Sequence, residues 1–142
     1  MGAYIAGAGC VPCVFSLRLA PSVYAFPTFD VMSSLVFINT APHSPYRGAG
    51  RPEAVYAVER LIDIAAHETS IDRMELRRRN FIAPEDMPHT TATHFTYDSG
   101  EFAATMDKCA ALADRKGFEA RWKSSESAGK RRGLGISYYI DD

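Results

Sequence analysis

The ten residues from Pro45 to Ala54, P-Y-R-G-A-G-R-P-E-A, constrain the fold of this chain more than any other stretch. Two arginines bracket a Gly-Ala-Gly step, and an amphipathic pattern begins directly after it. Gly48 and Gly50 permit backbone torsions and close approaches that side chains forbid. Pro52 suits the first turn of a helix, where its missing N–H costs nothing. A compact loop over Pro45 to Arg51 is therefore expected, with a helix beginning within a residue or two of Pro52. Such a loop can offer amides and arginines to an anion beside the positive end of the helix. It can equally be a plain glycine-rich lead-in, and the ten residues alone do not separate the two.

The rest of the chain reads as a mixture of α and β, an α+β chain with no internal repeat and no low-complexity linker. Gly2 to Ala6 has the makings of a short strand, and Gly7 to Pro27 of a loop with one helical turn around Phe15 to Leu19. Phe29 to Asn39 is β-branched and aromatic, apolar enough for a strand covered on both faces. The helix from Pro52 to about Glu68 places Val55, Val58, Leu61, Ile62 and Ala65 on one stripe, leaving Glu53, Glu59, Arg60 and Asp63 largely on the wet side. A second helix starts at Asp72, with Glu75 at capping-box spacing. Asp98 and Glu101 repeat that spacing before a third, Gly100 to about Lys116, whose apolar face is Phe102, Met106, Cys109, Ala110 and Ala113, with Gly117 as its stop. Phe118 to Ser125 reads as a helix holding Trp122, and Arg132 to Ile140 as a closing strand.

The 142 residues suffice for one ordinary domain that buries roughly two-thirds of its unfolded surface. A formal net charge of -1 gives no reason to expect nucleic acid or an anionic membrane as a partner. No apolar run is long enough to span a bilayer, and the N-terminus lacks a basic region before an apolar one. Three cysteines without a disulfide-rich pattern suit a reducing cytoplasm.

Other chemically suggestive residues have dull explanations beside them. Cys10-Val11-Pro12-Cys13 has the spacing of a redox dithiol or half a metal site, but no second pair follows, and incidental cysteines are the simpler reading. Cys109 belongs with the core. His89 and His94 are not spaced as a helical metal pair, and no metal ligand is assigned. His43, near the arginine loop, reads as loop surface that could touch a substrate or cofactor. Arg77-Arg78-Arg79 and Lys130-Arg131-Arg132 read as solvated faces with salt bridges, since consecutive helical residues cannot share one ligand. Neither Glu53 nor Glu59 is assigned as a general base, and no catalytic residue is named.

The string P-Y-R-G-A-G-R resembles a loop in the molybdenum-binding large subunit of the xanthine dehydrogenase, aldehyde oxidase and carbon monoxide dehydrogenase family, in its form II carbon monoxide dehydrogenase-like version. The likeness continues through E-R-L-I-D (Glu59 to Asp63), I-D-R-M-E-L-R-R-R-N-F-I (Ile71 to Ile82), Y-D-S-G-E-F (Tyr97 to Phe102) and R-R-G-L-G-I-S-Y-Y (Arg131 to Tyr139). Upstream, G-A-Y (Gly2 to Tyr4) and I-N-T-A-P (Ile38 to Pro42) fit as well. The family's glycine near Ser70 and proline at Arg73 are missing here.

The resemblance implies a mixed α/β fragment of the molybdenum-binding domain, with residues 1–142 as a single partial molybdopterin-binding region and a subdomain boundary near 117–131. It implies oxidative hydroxylation of an aldehyde or heteroaromatic carbon, with water as oxygen source and molybdenum-molybdopterin cytosine dinucleotide as cofactor. Arg47, Gly48, Ala49 and Gly50 match the cofactor-contacting loop, Arg47 through its backbone amide. Ala49 matches a substrate-packing phenylalanine of xanthine dehydrogenases, which leaves a differently shaped pocket. Form I carbon monoxide dehydrogenases carry a copper-ligating cysteine where this chain has Gly48, and glycine offers no thiolate. The implied partners are the remainder of the molybdenum subunit, an iron–sulfur small subunit and an FAD-binding medium subunit. Family subunits are several times longer, so the chain is expected to be inactive alone and to expose apolar surface. The alternative is a non-catalytic truncated fragment or packing module that binds no cofactor.

Overall fold

The computed structural model describes residues 1–140. Among them are five α-helices: α1 (Val11–Leu19), α2 (Arg51–Thr69), α3 (Arg73–Asn80), α4 (Phe102–Leu112) and α5 (Phe118–Ser127). A short antiparallel hairpin, β1 (His89–Thr90) and β2 (Thr96–Tyr97), lies between α3 and α4. Its register pairs His89 with Tyr97 and Thr90 with Thr96.

Local chemistry explains most helix ends. Pro12 sits in the first turn of α1, where no N–H is missed, and Pro21 follows soon after its end. Helix α2 begins at Arg51, as the Pro45 to Arg51 loop requires, on a left-handed Gly50. At its far end Ser70 takes the left-handed conformation usually left to glycine (φ 55°) and donates to the Ala66 and His67 carbonyls. The Asp72 side chain caps α3 by accepting from the Met74 and Glu75 amides. Only half of the box forms, because Glu75 turns to Arg79 instead, 2.7 Å away.

The core gathers Val23, Tyr24, Val58, Ile82, Tyr97 and Phe102. Residues 23–25 and 80–82 lie side by side, with Ala25 donating to Asn80 and Ile82 to Val23. This brings the Tyr24 ring into a stack on Phe81, 5.6 Å between centroids, while Tyr138 meets Phe81 edge-on at 5.1 Å. Aromatic contacts of this kind add to the burial itself.

Several expectations are corrected. Gly2 to Ala6, Phe29 to Asn39 and Arg132 to Ile140 are extended or irregular chain rather than strands. They have apolar β-type sequences but no regular ladder to join: residues 1–3 and 36–43 share a few backbone bonds without a repeating register. All of residues 31–40 are exposed, including Met32, Val36 and Phe37. Helix α1 is longer than the single turn expected around Phe15 to Leu19, because Pro12 starts a helix rather than interrupting one. Helix α4 is shorter than Gly100 to Lys116. Asp98 and Glu101 do not cap it, Asp98 accepting from Ser99 instead, and a left-handed Asp114 (φ 46°) ends the run before Gly117. Cys109 is exposed, not core. The α2 face is also turned from the expected stripe: Ala54, Val58, Glu59 and Ala66 are buried, while Leu61 faces solvent.

Candidate functional site

The arginine loop is a tight turn with three successive positive φ angles, 84° at Gly48, 43° at Ala49 and 101° at Gly50. Ala49 donates to the Tyr46 carbonyl at 3.3 Å and Arg51 to the Gly48 carbonyl at 2.8 Å. The loop is seated on α1. Ser16 Oγ donates to the Gly50 carbonyl at 2.7 Å, and a Cβ on Gly50 would overlap the Pro12 carbonyl. The Arg51 guanidinium lies 4.5 Å above the Phe15 ring, a favourable cation–π placement. A Cβ on Gly48 would stand 2.7 Å from Pro52 Cδ. Both glycines are thus required, one by its neighbour and one by α1.

Beside this loop opens a cavity of about 430 Å³, whose walls include Ala49, Gly50, Glu53, Tyr46, His43 and Cys13. The structure therefore brings Ala49 and Gly50 to a common cavity, while Arg47 and Gly48 lie exposed on the outer side of the turn. The Arg47 guanidinium rests 5.9 Å from the centre of the Tyr46 ring. Among the described residues, the amides of Arg47, Gly48 and Gly50 have no hydrogen-bond acceptor. Free amides on either side of the bonded Ala49, in a left-handed turn next to a helix N-terminus, form a concavity suited to an anionic, oxygen-bearing group. Glu53, in the first turn of α2, already takes part of that positive field. The donor set thus fits an oxo-type or phosphate-type group held by backbone amides. Among the described residues, no cluster of three or more His, Cys, Asp or Glu could hold a bare metal ion.

A second constellation lies under α2 and was not anticipated. Arg77 is completely buried, as is Tyr24, and Glu59 nearly so. Tyr24 donates its hydroxyl to Glu59 Oε1 at 2.5 Å, and Arg77 donates through Nε to Glu59 Oε2 at 2.9 Å. Arg77 Nη2 also reaches Asp63 Oδ1 at 2.9 Å, and Arg73 Nη1 reaches Asp63 Oδ2 at 3.4 Å. Arg73 further donates to the Leu134 carbonyl, tying the C-terminal segment to the helix pair. Burial, and then the neighbouring Glu59 carboxylate, push the Tyr24 hydroxyl far above its ordinary range. Burial works against the charge on Arg77, but hydrogen bonding and attraction from Glu59 outweigh it and its pKa rises. Every member has a partner and the Tyr24–Glu59–Arg77 centre is sealed, with only Asp63 and Arg73 reaching solvent, so the network is a structural clasp. The reading of Arg77 and Glu59 as solvated is corrected here, whereas Arg78 pairs at the surface with Asp107, and Arg79 with Glu75. The signal was present in the spacing: Glu59 and Asp63 are four apart on one helix, Arg73 and Arg77 four apart on the next.

Residues 1–81 match the family described as the molybdopterin cofactor-binding domain, and the chain belongs to that family. Among curated relatives, the chain is 36% identical over 107 residues to the carbon monoxide dehydrogenase large chain of Hydrogenophaga pseudoflava, covering 74% of this chain and 13% of that one. It is 29% identical to the 6-hydroxypseudooxynicotine dehydrogenase complex subunit gamma of Paenarthrobacter nicotinovorans, over 83% of this chain and 16% of the relative. Its fold matches the crystal structure of quinoline 2-oxidoreductase from Pseudomonas putida 86 with a TM-score of 0.83 and 29% identity, covering 97% of this chain and 18% of that one. The chain thus spans less than a fifth of each of these proteins. The mixed α/β architecture is that of the molybdenum hydroxylases, and the whole of the turn from Arg47 to Gly50 falls within the matched region.

Proposed function

We propose that this chain forms part of the large subunit of a molybdenum hydroxylase that oxidises an aldehyde or heteroaromatic carbon, with water as the oxygen source. The observation that carries the reading is the three-residue left-handed turn, with the Gly48 and Gly50 amides free, held against α1 in a chain that belongs to the molybdopterin cofactor-binding family. The cofactor is proposed to be molybdenum-molybdopterin cytosine dinucleotide, which when bound supplies the oxidative hydroxylation chemistry. This chain's share is placement: the Arg47 amide and the Gly48–Gly50 turn would face an oxygen atom of the cofactor, and the seat on α1 would keep the turn from shifting. Ala49, on the cavity wall, would shape the substrate side with a small methyl group.

Gly48 cannot supply a soft thiolate for copper(I), which favours an organic substrate over carbon monoxide. The names of the quinoline and hydroxypseudooxynicotine enzymes among the similar proteins point the same way. The proposed partners are the remainder of the molybdenum subunit, an iron–sulfur small subunit and an FAD-binding medium subunit. No helix among the described residues is long and apolar enough to cross a membrane, and the assembly is proposed to work in the cytoplasm.

The test is purification of the chain from its native host with whatever accompanies it. Molybdenum and pterin content, cytosine nucleotide released on hydrolysis, and dye reduction with aldehydes and N-heteroaromatics would be measured. Labelled oxygen from water should enter the product. Purified chain with its native companions but no molybdenum or pterin would refute the reading in favour of a packing module.

A further inference from the structure

The C-V-P-C segment lies at the start of α1: Cys10 is the N-cap, with backbone angles of -85° and -15°, and Cys13 stands three positions on. Residues at this spacing share one side of the first turn, with Cβ atoms about 5–6 Å apart. A disulfide needs about 3.5–4.5 Å. Cys10 has helical backbone angles and its carbonyl accepts from Val14, so closure comes from side-chain rotation and a small shift of the preceding turn, hinged at Gly7 in open space while Gly9 stays against the His43 carbonyl. Both thiols are free and half-buried, and Cys13 reaches the cavity beside the arginine loop. Cys13 Sγ donates to Ser33 Oγ at 2.9 Å. That bond is a side-chain tether for a stretch of chain that is otherwise exposed from 31 to 40 and that lends Leu35 to the same cavity wall.

We propose that Cys10 and Cys13 are a thiol–disulfide site that reacts with low-molecular-weight disulfides and, on closing, releases the Ser33 tether at the cavity rim. In the step, each thiol gives up its hydrogen and an S–S bond forms between Cys10 and Cys13. The two electrons and two protons pass to a disulfide such as oxidised glutathione, whose own S–S bond breaks to give two thiols. A disulfide sulfur has no hydrogen to donate, so the Cys13–Ser33 bond as it stands is lost. The site needs no molybdenum, and its test is independent of the hydroxylase reading.

The full 142-residue chain would be equilibrated with oxidised glutathione, acid-quenched and mapped by mass spectrometry. Trypsin leaves both cysteines in the peptide ending at Arg18, and Cys109, exposed on α4, serves as the internal comparison. The Arg18 peptide should lose the mass of two hydrogens and carry no glutathione, while Cys109 gains one. Oxidation should also raise chymotryptic cleavage after Leu35, two residues beyond Ser33, about two- to threefold, the factor expected from losing one weak, exposed hydrogen bond. Ser33→Ala should cleave at that faster rate even when reduced. Glutathione found singly on Cys10 or Cys13 overturns the proposal. So does equal closure in native buffer and in guanidinium chloride, or cleavage that oxidation leaves unchanged.

Discussion

Replacing Tyr24 by phenylalanine tests the buried clasp through its pH dependence. The ring keeps its stack on Phe81, so little apolar burial is lost. What disappears is the hydroxyl that donates to Glu59 at 2.5 Å, a bond to a charged acceptor in a site with almost no solvent. Such bonds are worth about 1.5–3 kcal/mol, so the variant should be less stable by about 2 kcal/mol at neutral pH. The tyrosine's proton then adds a second signature. Its pKa is raised in the folded chain, so the folded state holds the proton after the unfolded state has released it. Below the ordinary tyrosine value of about 10 both states are protonated and the deficit is constant. Above it, the wild type loses stability by up to about 1.4 kcal/mol per pH unit from this group, whereas the variant loses nothing there. The deficit should therefore shrink between about pH 10 and 11 and be nearly gone by about pH 11.5. Urea titrations followed by far-UV circular dichroism and by the fluorescence of Trp122, at steps from pH 8 to 11.5, would measure it. A deficit that stays constant across this range, or a variant as stable as the parent at neutral pH, would refute the account of the clasp.

Three further outcomes follow from the geometry. Arg77→Met should cost about 3–5 kcal/mol, because Glu59 is left buried and charged, and adding Glu59→Gln should recover part of it; urea titration of single and double variants reads both. Ser70→Gly should stabilise the chain by about 1 kcal/mol, since it removes the penalty of a left-handed serine at the end of α2, measurable as a higher midpoint of unfolding. In the restored large subunit, Gly48→Val should lower molybdenum content and aldehyde-dependent dye reduction much more than Arg47→Lys, because valine cannot hold φ 84° beside Pro52 whereas lysine keeps the amide. Full metal loading in Gly48→Val would leave the loop as a mere lead-in to α2.

The parts of the fold legible in sequence are those set by short-range chemistry. Gly48, Gly50 and Pro52 announce a turn and a helix start, Asp72 announces a cap, and α2 begins and ends within a residue of its expected limits. The stretches misread as strands fail for a non-local reason. Phe29 to Asn39 has strand-like residues, but a strand exists only where another chain segment offers a ladder, and composition does not record that partner. The buried face of α2 was misjudged because hydrophobicity alone places a glutamate outside, whereas Glu59 is drawn inward by Tyr24 from one side and Arg77 from the other. For the candidate site, the turn itself was visible and its resemblance pointed to the right family. Its seat on α1 was not, since Pro12 and Ser16 meet Gly50 only after a separation of more than thirty residues.

The contact between Gly50 and the Pro12 carbonyl sets a rule for how sequences of this kind can vary. Beyond α1 and the core residues Val23 and Tyr24, the chain between them can lengthen or shorten, because most of it is exposed and irregular. The start of α1 cannot move without freeing the space that now forbids a side chain at position 50. A relative with alanine or serine at that position should therefore show both a turn that no longer needs φ 101° there and a compensating change around positions 9–13, on a different helix from the loop it permits. Substitutions that look remote from the arginine turn would then be inherited together with it. An alignment deep enough to compare the two segments would reveal them as one unit of variation.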